Sequence, residues 1–362
     1  MIKIGGETMN TRNPAFDRSR LKVRGLAERQ HDLTLAAILP LQPSPVVHET
    51  LQQIASRIRT AQERGAAVIL MMGAHVIRAG VQRFLIDLME KGFISCIATN
   101  GAALIHDYEF ALIGATTESV VRYVSDGQFG LWKETGRIND IVSRAAKAGT
   151  GLGESVGRAI HEEELPYRHL SILAAGFRLG VPVTVHVGIG YDIVHEHPNC
   201  DGGAYGATSY LDFLRFVHVM ESLEHGVLMN LGSSVMAPEV YLKALAMVRN
   251  VAAQEGRQIK HFTTLVCDLI QLPESYTTEP SRDDPRYFFR PWKTMLVRTV
   301  ADGGTGLYLR LSHAESVPQL WTALAKQTND SDHACRAIGG EKTTEDCETV
   351  LGRIKKEPHE PV

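Results

Sequence analysis

Between Thr184 and Gly203 the chain reads TVHVGIGYDIVHEHPNCDGG, with three histidines, two aspartates, a glutamate and a cysteine set among four glycines. These residue types can serve three purposes. An imidazole titrates near neutral pH, so His186, His195 or His197, with Asp192, could pass a proton to or from a substrate. His195 and His197 are two apart and would face the same way on an extended segment, a geometry that Pro198 favours at His197. With His186 on the segment before them they could hold zinc or iron, completed by Asp192 or Cys200. The third possibility is a structural hydrogen-bond network. The spacing matches no known metal motif, so the expectation is a polar pocket wall with one histidine as acid or base and no metal.

A second chemical candidate lies in FFRPWKTMLVRTVADGGTG, where Lys293 follows Trp292. A desolvated lysine can act as a nucleophile, but a lysine lying over an aromatic ring is an equally ordinary arrangement. Three further clusters carry small residues and lead toward helices. They are MGAHVIRAG (Met72 to Gly80), TNGAALIHDYE (Thr99 to Glu109) and NLGSSVMAPEV (Asn230 to Val240). Small residues let backbone N–H groups approach an anion, and a helix N-terminus adds partial positive charge. Gly73, Ala74 and His75, then Asn100, Gly101 and Ala102, then Ser233 and Ser234 could thus cradle phosphates. None of the three is a G-x-G-x-x-G or a Walker loop. Asp107 could cap a helix beginning nearby or accept from a ribose hydroxyl, and the two serines could simply cap the helix that follows them.

These clusters need elements to hold them. His48 to Gly65 has helical apolar spacing, and Ala66 to Met72 is an apolar run fit for a strand buried on both faces. Ile77 to Gly92 reads as helix and Ile94 to Ala98 as strand. Val181 to Val187, Gly226 to Leu231 and His261 to Cys267 read as further strands. Helices are expected over Tyr167 to Arg178, Thr208 to Leu223 and Pro238 to Ala253. This alternation predicts an α/β doubly wound, mostly parallel sheet with helices on both faces. In such sheets ligands bind beyond the carboxyl ends of the strands, which is where the polar clusters fall.

The 362 residues, 44% hydrophobic and 22% charged, suit a globular domain with ample core. A net charge of −3 gives no field favouring nucleic acid or an anionic membrane. The five cysteines are scattered and form no C-x-x-C pair, which reads as a reduced cytoplasmic set. No apolar run is long enough to span a bilayer. Residues 1–32 read as an N-terminal arm, 33–326 as a single Rossmann-like domain, and 327–362 as a polar, disordered tail.

The order of the motifs resembles deoxyhypusine synthase and its bacterial relatives from about Gly73 to Lys326. The resemblance rests on GAHVIRAGVQRFLIDLMEKGFISCIATNGAALIHDYEFAL, on GVLMNLGSSVMAPEVYLKALAMVRN and on SHAESVPQLWTAL. It implies a doubly wound NAD-binding fold, a homotetramer, and transfer of an aminobutyl group through an enzyme lysine. It places Ala74, His75, Asn100, Gly101, Ala102, Ser233 and Ser234 near NAD, with His106 at the family's acidic position beside Asp107. Gly190 to Asp192 replace a segment that serves both cofactor and polyamine. The departures point away from polyamine chemistry. Pro238 and Leu242 stand where the family has histidine and asparagine, no glycine separates Trp292 from Lys293, and histidines replace the acidic lining. The expectation is an NAD-dependent oxidoreductase or transferase acting on a small amine or alcohol, with Lys293 or Arg298 available for an acidic substrate group or an imine. Two alternatives are a metal-dependent hydrolase or lyase built on His186, His195 and His197, and a non-catalytic nucleotide-binding sensor.

Overall fold

The structure, a computed structural model, describes residues 2–4, 7–9 and 15–338, with side chains over 15–325. Six strands form its central sheet: β1 (Val68–Met72), β2 (Cys96–Asn100), β3 (Val183–His186), β4 (Val227–Leu231), β5 (Thr263–Asp268) and β6 (Thr305–Arg310). Their order is β6-β5-β4-β1-β2-β3 and every pairing is parallel. Read from the other edge this is 3-2-1-4-5-6, the order of doubly wound dinucleotide-binding sheets, as the alternation in the sequence predicts. The direction of winding reverses between β1 and β4, where Met71 lies opposite Asn230 and Met72 opposite Leu231.

Both faces of the sheet are covered, which is why β1 and β4 are buried at every position. Side chains alternate between the two layers. Val68, Leu70 and Met72 pack with Leu51, Ile54 and Ile58 of α1 (Glu49–Glu63). Ile69 and Met71 face the opposite layer, with Phe216 and Met220 of α9 (Gly202–Met220) and Tyr241 and Leu245 of α10 (Met236–Gln254).

The helix expected over Ile77 to Gly92 is broken into α2 (Ala74–Arg78) and α3 (Gln82–Glu90). Gly80 between them has φ +75, and the Ala37 carbonyl fills the space a Cβ would need. The chain crossing there donates from the Leu39 N–H to the Gly80 carbonyl at 2.8 Å. The sixth strand was not expected. Its GGTG start resembles a loop, and of its residues only Leu309 is buried, with Arg310 exposed and the rest partly buried. The helix toward which TNGAALIHDYE leads is α4 (Gly101–Ile113), while α5 (Val120–Ser125), α6 (Arg137–Ala148) and α7 (Leu152–Glu162) were not expected. The segment expected as a helix from Tyr167 forms α8 (Ile172–Leu179), which Ser171 caps by accepting from Ala174 N–H.

The expected arm is partly folded onto the body. Leu26 packs with Tyr123 and Trp132, and Arg24 exchanges backbone hydrogen bonds with Leu131 and Lys133. The last helix, α11 (His313–Ile338), runs beyond residue 326, and the rest of the expected tail, 339–362, lies outside the described residues. The exposed edge of β3 is closed by α9. Asp212 accepts from Val185 N–H (2.9 Å) and from Gly153 N–H (2.8 Å), and Ser209 bonds to both Val187 N–H and the Val185 carbonyl. Such covering protects an edge strand from pairing with another chain.

Gly153 in the first turn of α7 lies so close to β3 that an added Cβ would overlap the Val183 carbonyl oxygen. Gly153→Ala should therefore push α7 off the sheet and cost roughly 1–3 kcal/mol, seen as a lower urea midpoint at unchanged slope.

Candidate functional site

The carboxyl rim of the sheet carries two adjoining features. The first is the crevice between β1 and β4. Gly73 ends β1, and a Cβ there would stand 3.0 Å from the Gly232 carbonyl oxygen. Gly232, at φ +66, holds the chain in the left-handed region and lies under the ring of His313. His313 begins α11, and its Nδ1 is buried without a hydrogen-bond partner. Ser233 is committed to structure: its hydroxyl accepts from Ala237 N–H at 3.1 Å, and its backbone is clamped by the Asn230 amide. Ser234 beside it is exposed. His75 on α2 is exposed, and its Nε2 lies 3.5 Å from Arg78 Nη1.

The second feature is a cleft of about 260 Å³ next to the crevice, walled by Arg78, Ala102, His106, Glu118 and Asp192 over a floor formed by Arg29 and Glu109. Glu109 is fully enclosed. It receives both terminal nitrogens of Arg29 at 2.8 Å and the hydroxyls of Thr116 (2.7 Å) and Thr135 (2.6 Å). Against the desolvation of its burial, Arg29 and these hydroxyls hold its pKa below the usual carboxylate range. Since the Thr116 hydroxyl donates to Glu109, its oxygen accepts from His106 Nδ1 at 2.8 Å. This fixes the tautomer of His106 and leaves Nε2 as an acceptor. Burial, before any charge effect, lowers the His106 pKa to about 4, so the ring is neutral.

Asp192 borders the same cleft. Its carboxylate lies against Gly101, where an added Cβ would overlap it, at the N-terminus of α4. No protein donor reaches this carboxylate among the described residues, and burial raises its pKa to about 6. Its backbone is set by His195, whose Nδ1 accepts from the Gly190 and Asp192 N–H groups, both at 3.2 Å. The neutral ring must then carry its proton on Nε2, a buried nitrogen without a partner. His195 stands edge-on to Tyr205, with centroids 4.7 Å apart.

The remaining expectations separate. Ile193–Glu196 form a short 3-10 turn instead of an extended run, so His195 and His197 do not share a face. His197 is buried, and its Nε2 donates to the Gly130 carbonyl at 2.7 Å. His186 is buried against Phe213 and Phe216, bonds to the Thr184 hydroxyl at 3.0 Å, and has its pKa lowered by burial to about 4. The metal set of His186, His195 and His197 is therefore not assembled, and no group of three such donors converges among the described residues. Asp107 is not near the start of its helix. From the middle of α4 it turns inward and accepts from Ser171 Oγ (2.5 Å), Ile172 N–H (2.8 Å) and Leu173 N–H (3.2 Å), holding the N-terminus of α8. Buried there, it is out of reach of a ribose. Asn100 caps α4 by accepting from Ala103 N–H at 3.0 Å. Lys293 is buried in a π-helical turn, Trp292–Arg298, with Nζ 3.4 Å from the centre of the Tyr287 ring. Arg298 pairs with Glu279. Neither contact reaches Asp192. Arg29, Arg78 and His313 were not singled out for the site: Arg29 lies in a stretch without a motif, and in MGAHVIRAG and SHAESVPQLWTAL nothing in the residue pattern shows which way Arg78 or His313 turns.

Residues 52–151 match the family model described as arginine dihydrolase ArgZ-like, C-terminal, Rossmann fold, which spans β1, β2 and their helices. No curated protein matches the sequence. Among solved structures, the apo arginine dihydrolase ArgZ from the ornithine–ammonia cycle in cyanobacteria is 14% identical over 78% of this chain and 33% of its own, with a TM-score of 0.45. AgrE in its ternary complex with ornithine and NAD+ gives the same identity, coverage and score. A putative deoxyhypusine synthase from Entamoeba histolytica is 10% identical over 78% of this chain and 89% of its own, with a TM-score of 0.41. The chain spans about one third of the length of ArgZ and AgrE. Activity has to be argued from this chain's own residues. Among the described residues no helix is long and apolar enough to cross a membrane.

Removing one partner of an enclosed ion pair leaves the other charge unpaired. Arg29→Met should cost about 3–5 kcal/mol, measured as a loss of unfolding free energy in urea; a change near zero would mean that residues 15–32 do not hold the cleft floor.

Proposed function

We propose that this chain is an NAD-dependent enzyme acting on a small amine or alcohol substrate, with the cofactor in the β1/β4 crevice and the substrate in the adjoining cleft. The observation that carries the reading is the meeting of Gly73 and Gly232 where the winding of the sheet reverses, with a cleft that presents Arg78, His106 and Asp192 on the same carboxyl rim. The crevice fits a diphosphate in two respects. Its glycines admit close backbone approach, and the buried Nδ1 of His313 has no partner, so in the tautomer that protonates it an anionic oxygen would satisfy it. Gly73, Ala74, His75 and Ser234 would border the cofactor. At Asn100 and Gly101 the Asp192 carboxylate already occupies the approach to the helix N-terminus, so that turn serves the substrate side, together with Ala102.

Bound NAD would supply the hydride acceptor. The residues supply the proton path and the orientation. Asp192, desolvated and without a protein donor, takes the proton from the amine or alcohol carbon's heteroatom. His195 positions the turn that carries it. His106 offers a neutral acceptor nitrogen, and Arg78, which has no carboxylate partner among the described residues, can bind an acidic substrate group. Lys293 is not assigned a part, since its contacts lie with Tyr287 and Phe288. Assembly into a homo-oligomer remains part of the proposal through the resemblance alone.

NAD+ should raise the melting temperature and bind saturably. Ser234→Glu, which adds a negative charge at an exposed crevice position, should weaken that binding at least about tenfold. No thermal response to NAD+, or equal binding by Ser234→Glu, would remove the cofactor assignment. Asp192→Asn should retain NAD+ binding and lose turnover across a panel of amines and alcohols. Because the base must be ionised, and burial puts its pKa at about 6, turnover should fall about tenfold per pH unit below that point and level off above it.

A further inference from the structure

The opposite rim of the sheet holds a groove of about 340 Å³ that the reading above does not use. One wall is a stripe of α1, Ser56, Arg57, Thr60 and Arg64, spaced so that they share a helical face. The other wall is formed where strands begin: Gly226 precedes β4, while Thr263 and Thr305 open β5 and β6. His225 and His261 close one end. We propose that this groove is a second binding site, selective for a phosphate group carried by a small ligand.

The chemistry of the lining is one-sided. No carboxylate faces the groove, and neither Arg57 nor Arg64 has a carboxylate partner among the described residues. Guanidinium forks match the oxygens of a phosphate. The two imidazoles are organised rather than loose. Their rings stack at 6.0 Å with planes 17° apart. Glu224 sits behind them, 2.7 Å from His261 Nδ1 and 3.9 Å from His225 Nε2, and also accepts from the backbone N–H of Lys260 and His261. Bonded through Nδ1, His261 keeps Nε2 on the side of Gly303, whose φ of +119 lets that loop lie against the ring. His225 itself has φ +61, a left-handed conformation that glycine or asparagine adopts more readily, and its N–H donates to the His261 carbonyl at 2.7 Å. Arginines near the C-terminus of α1 would be favourable for that helix alone. That effect does not explain why a histidine is kept at a left-handed position beside a second histidine and a shared carboxylate. The short groove and the overall charge of −3 favour a small phosphorylated molecule over a polynucleotide.

The test is calorimetric titration of the full chain, held in saturating NAD+ so that the diphosphate crevice is filled, with inorganic phosphate at constant ionic strength, using chloride as the reference salt. Saturable binding is expected, weakened at least tenfold in Arg57→Gln/Arg64→Gln and several-fold in His225→Asn, which tolerates the backbone conformation. All three substituted side chains are exposed, so far-ultraviolet circular dichroism should confirm unchanged folding. The Ser234→Glu variant should bind phosphate like the parent, and the arginine double variant should bind NAD+ like the parent, so the two rims fail or succeed separately. Absence of saturable binding, or binding that survives loss of both arginines, overturns the proposal.

Discussion

The enclosed carboxylate of Glu109 is the constraint on which the cleft depends. A buried charge without partners costs several kcal/mol even after relaxation, so the fold surrounds it with four donors from three parts of the chain: two from Arg29, one from Thr116 and one from Thr135. Satisfying it ties the segment before the first helix, the ribbon after α4 and the approach to α6 to one point. The same bonds reach outward. Because Thr116 spends its one proton on Glu109, it can only accept from His106, so a structural ion pair dictates which nitrogen of a cleft-lining imidazole is free. Structure and potential chemistry are thus linked through one hydroxyl.

Fold and site were unequally legible in the sequence. The strands could be read because parallel strands buried on both faces must be apolar at every position, and VILMM and VLMNL come close to that. Their order then put Gly73, Asn100, His186 and Ser233 at one rim. What a strand-and-helix reading cannot show is which way a polar side chain turns. Asp107 and Glu109 stand two apart in one helix, and each is buried under a different neighbour, because helical residues two apart diverge by about 200°. Arg29 lay in a stretch read as an arm, since one leucine and one arginine anchor it and no periodicity announces them. The sixth strand was hidden by glycines at its start and by partial burial along its length.

The histidine-rich stretch shows the same limit more sharply. Alternation suggested that His195 and His197 would act together, but that inference needed an extended backbone. Asp192 accepts the geometry of a tight turn instead, with His195 Nδ1 bonding back to two N–H groups, and the turn rotates the two imidazoles apart. One histidine shapes the loop, one anchors Gly130 and one packs among phenylalanines. Asp192 is left chemically unspent, as is Glu196, whose carboxyl burial pushes up to about 7.

That aspartate also decides how charge can be distributed along the carboxyl rim. A helix N-terminus attracts anions, by about 0.3–1 kcal/mol when exposed and up to about 2 when partly buried. At α4 the attraction is already used by Asp192 across the bare Cα of Gly101. A diphosphate placed there would have to displace the carboxylate or sit against it, and two like charges in contact cost more than the helix end returns. Between β1 and β4 two glycine turns meet beneath His313, whose Nδ1 is unpaired. Asp192 therefore suits the α4 end to taking a proton, and the glycine-lined β1/β4 crevice is the approach left open to an anionic group. A dinucleotide-dependent reaction requires that division, with diphosphate bound on one side and substrate proton taken on the other.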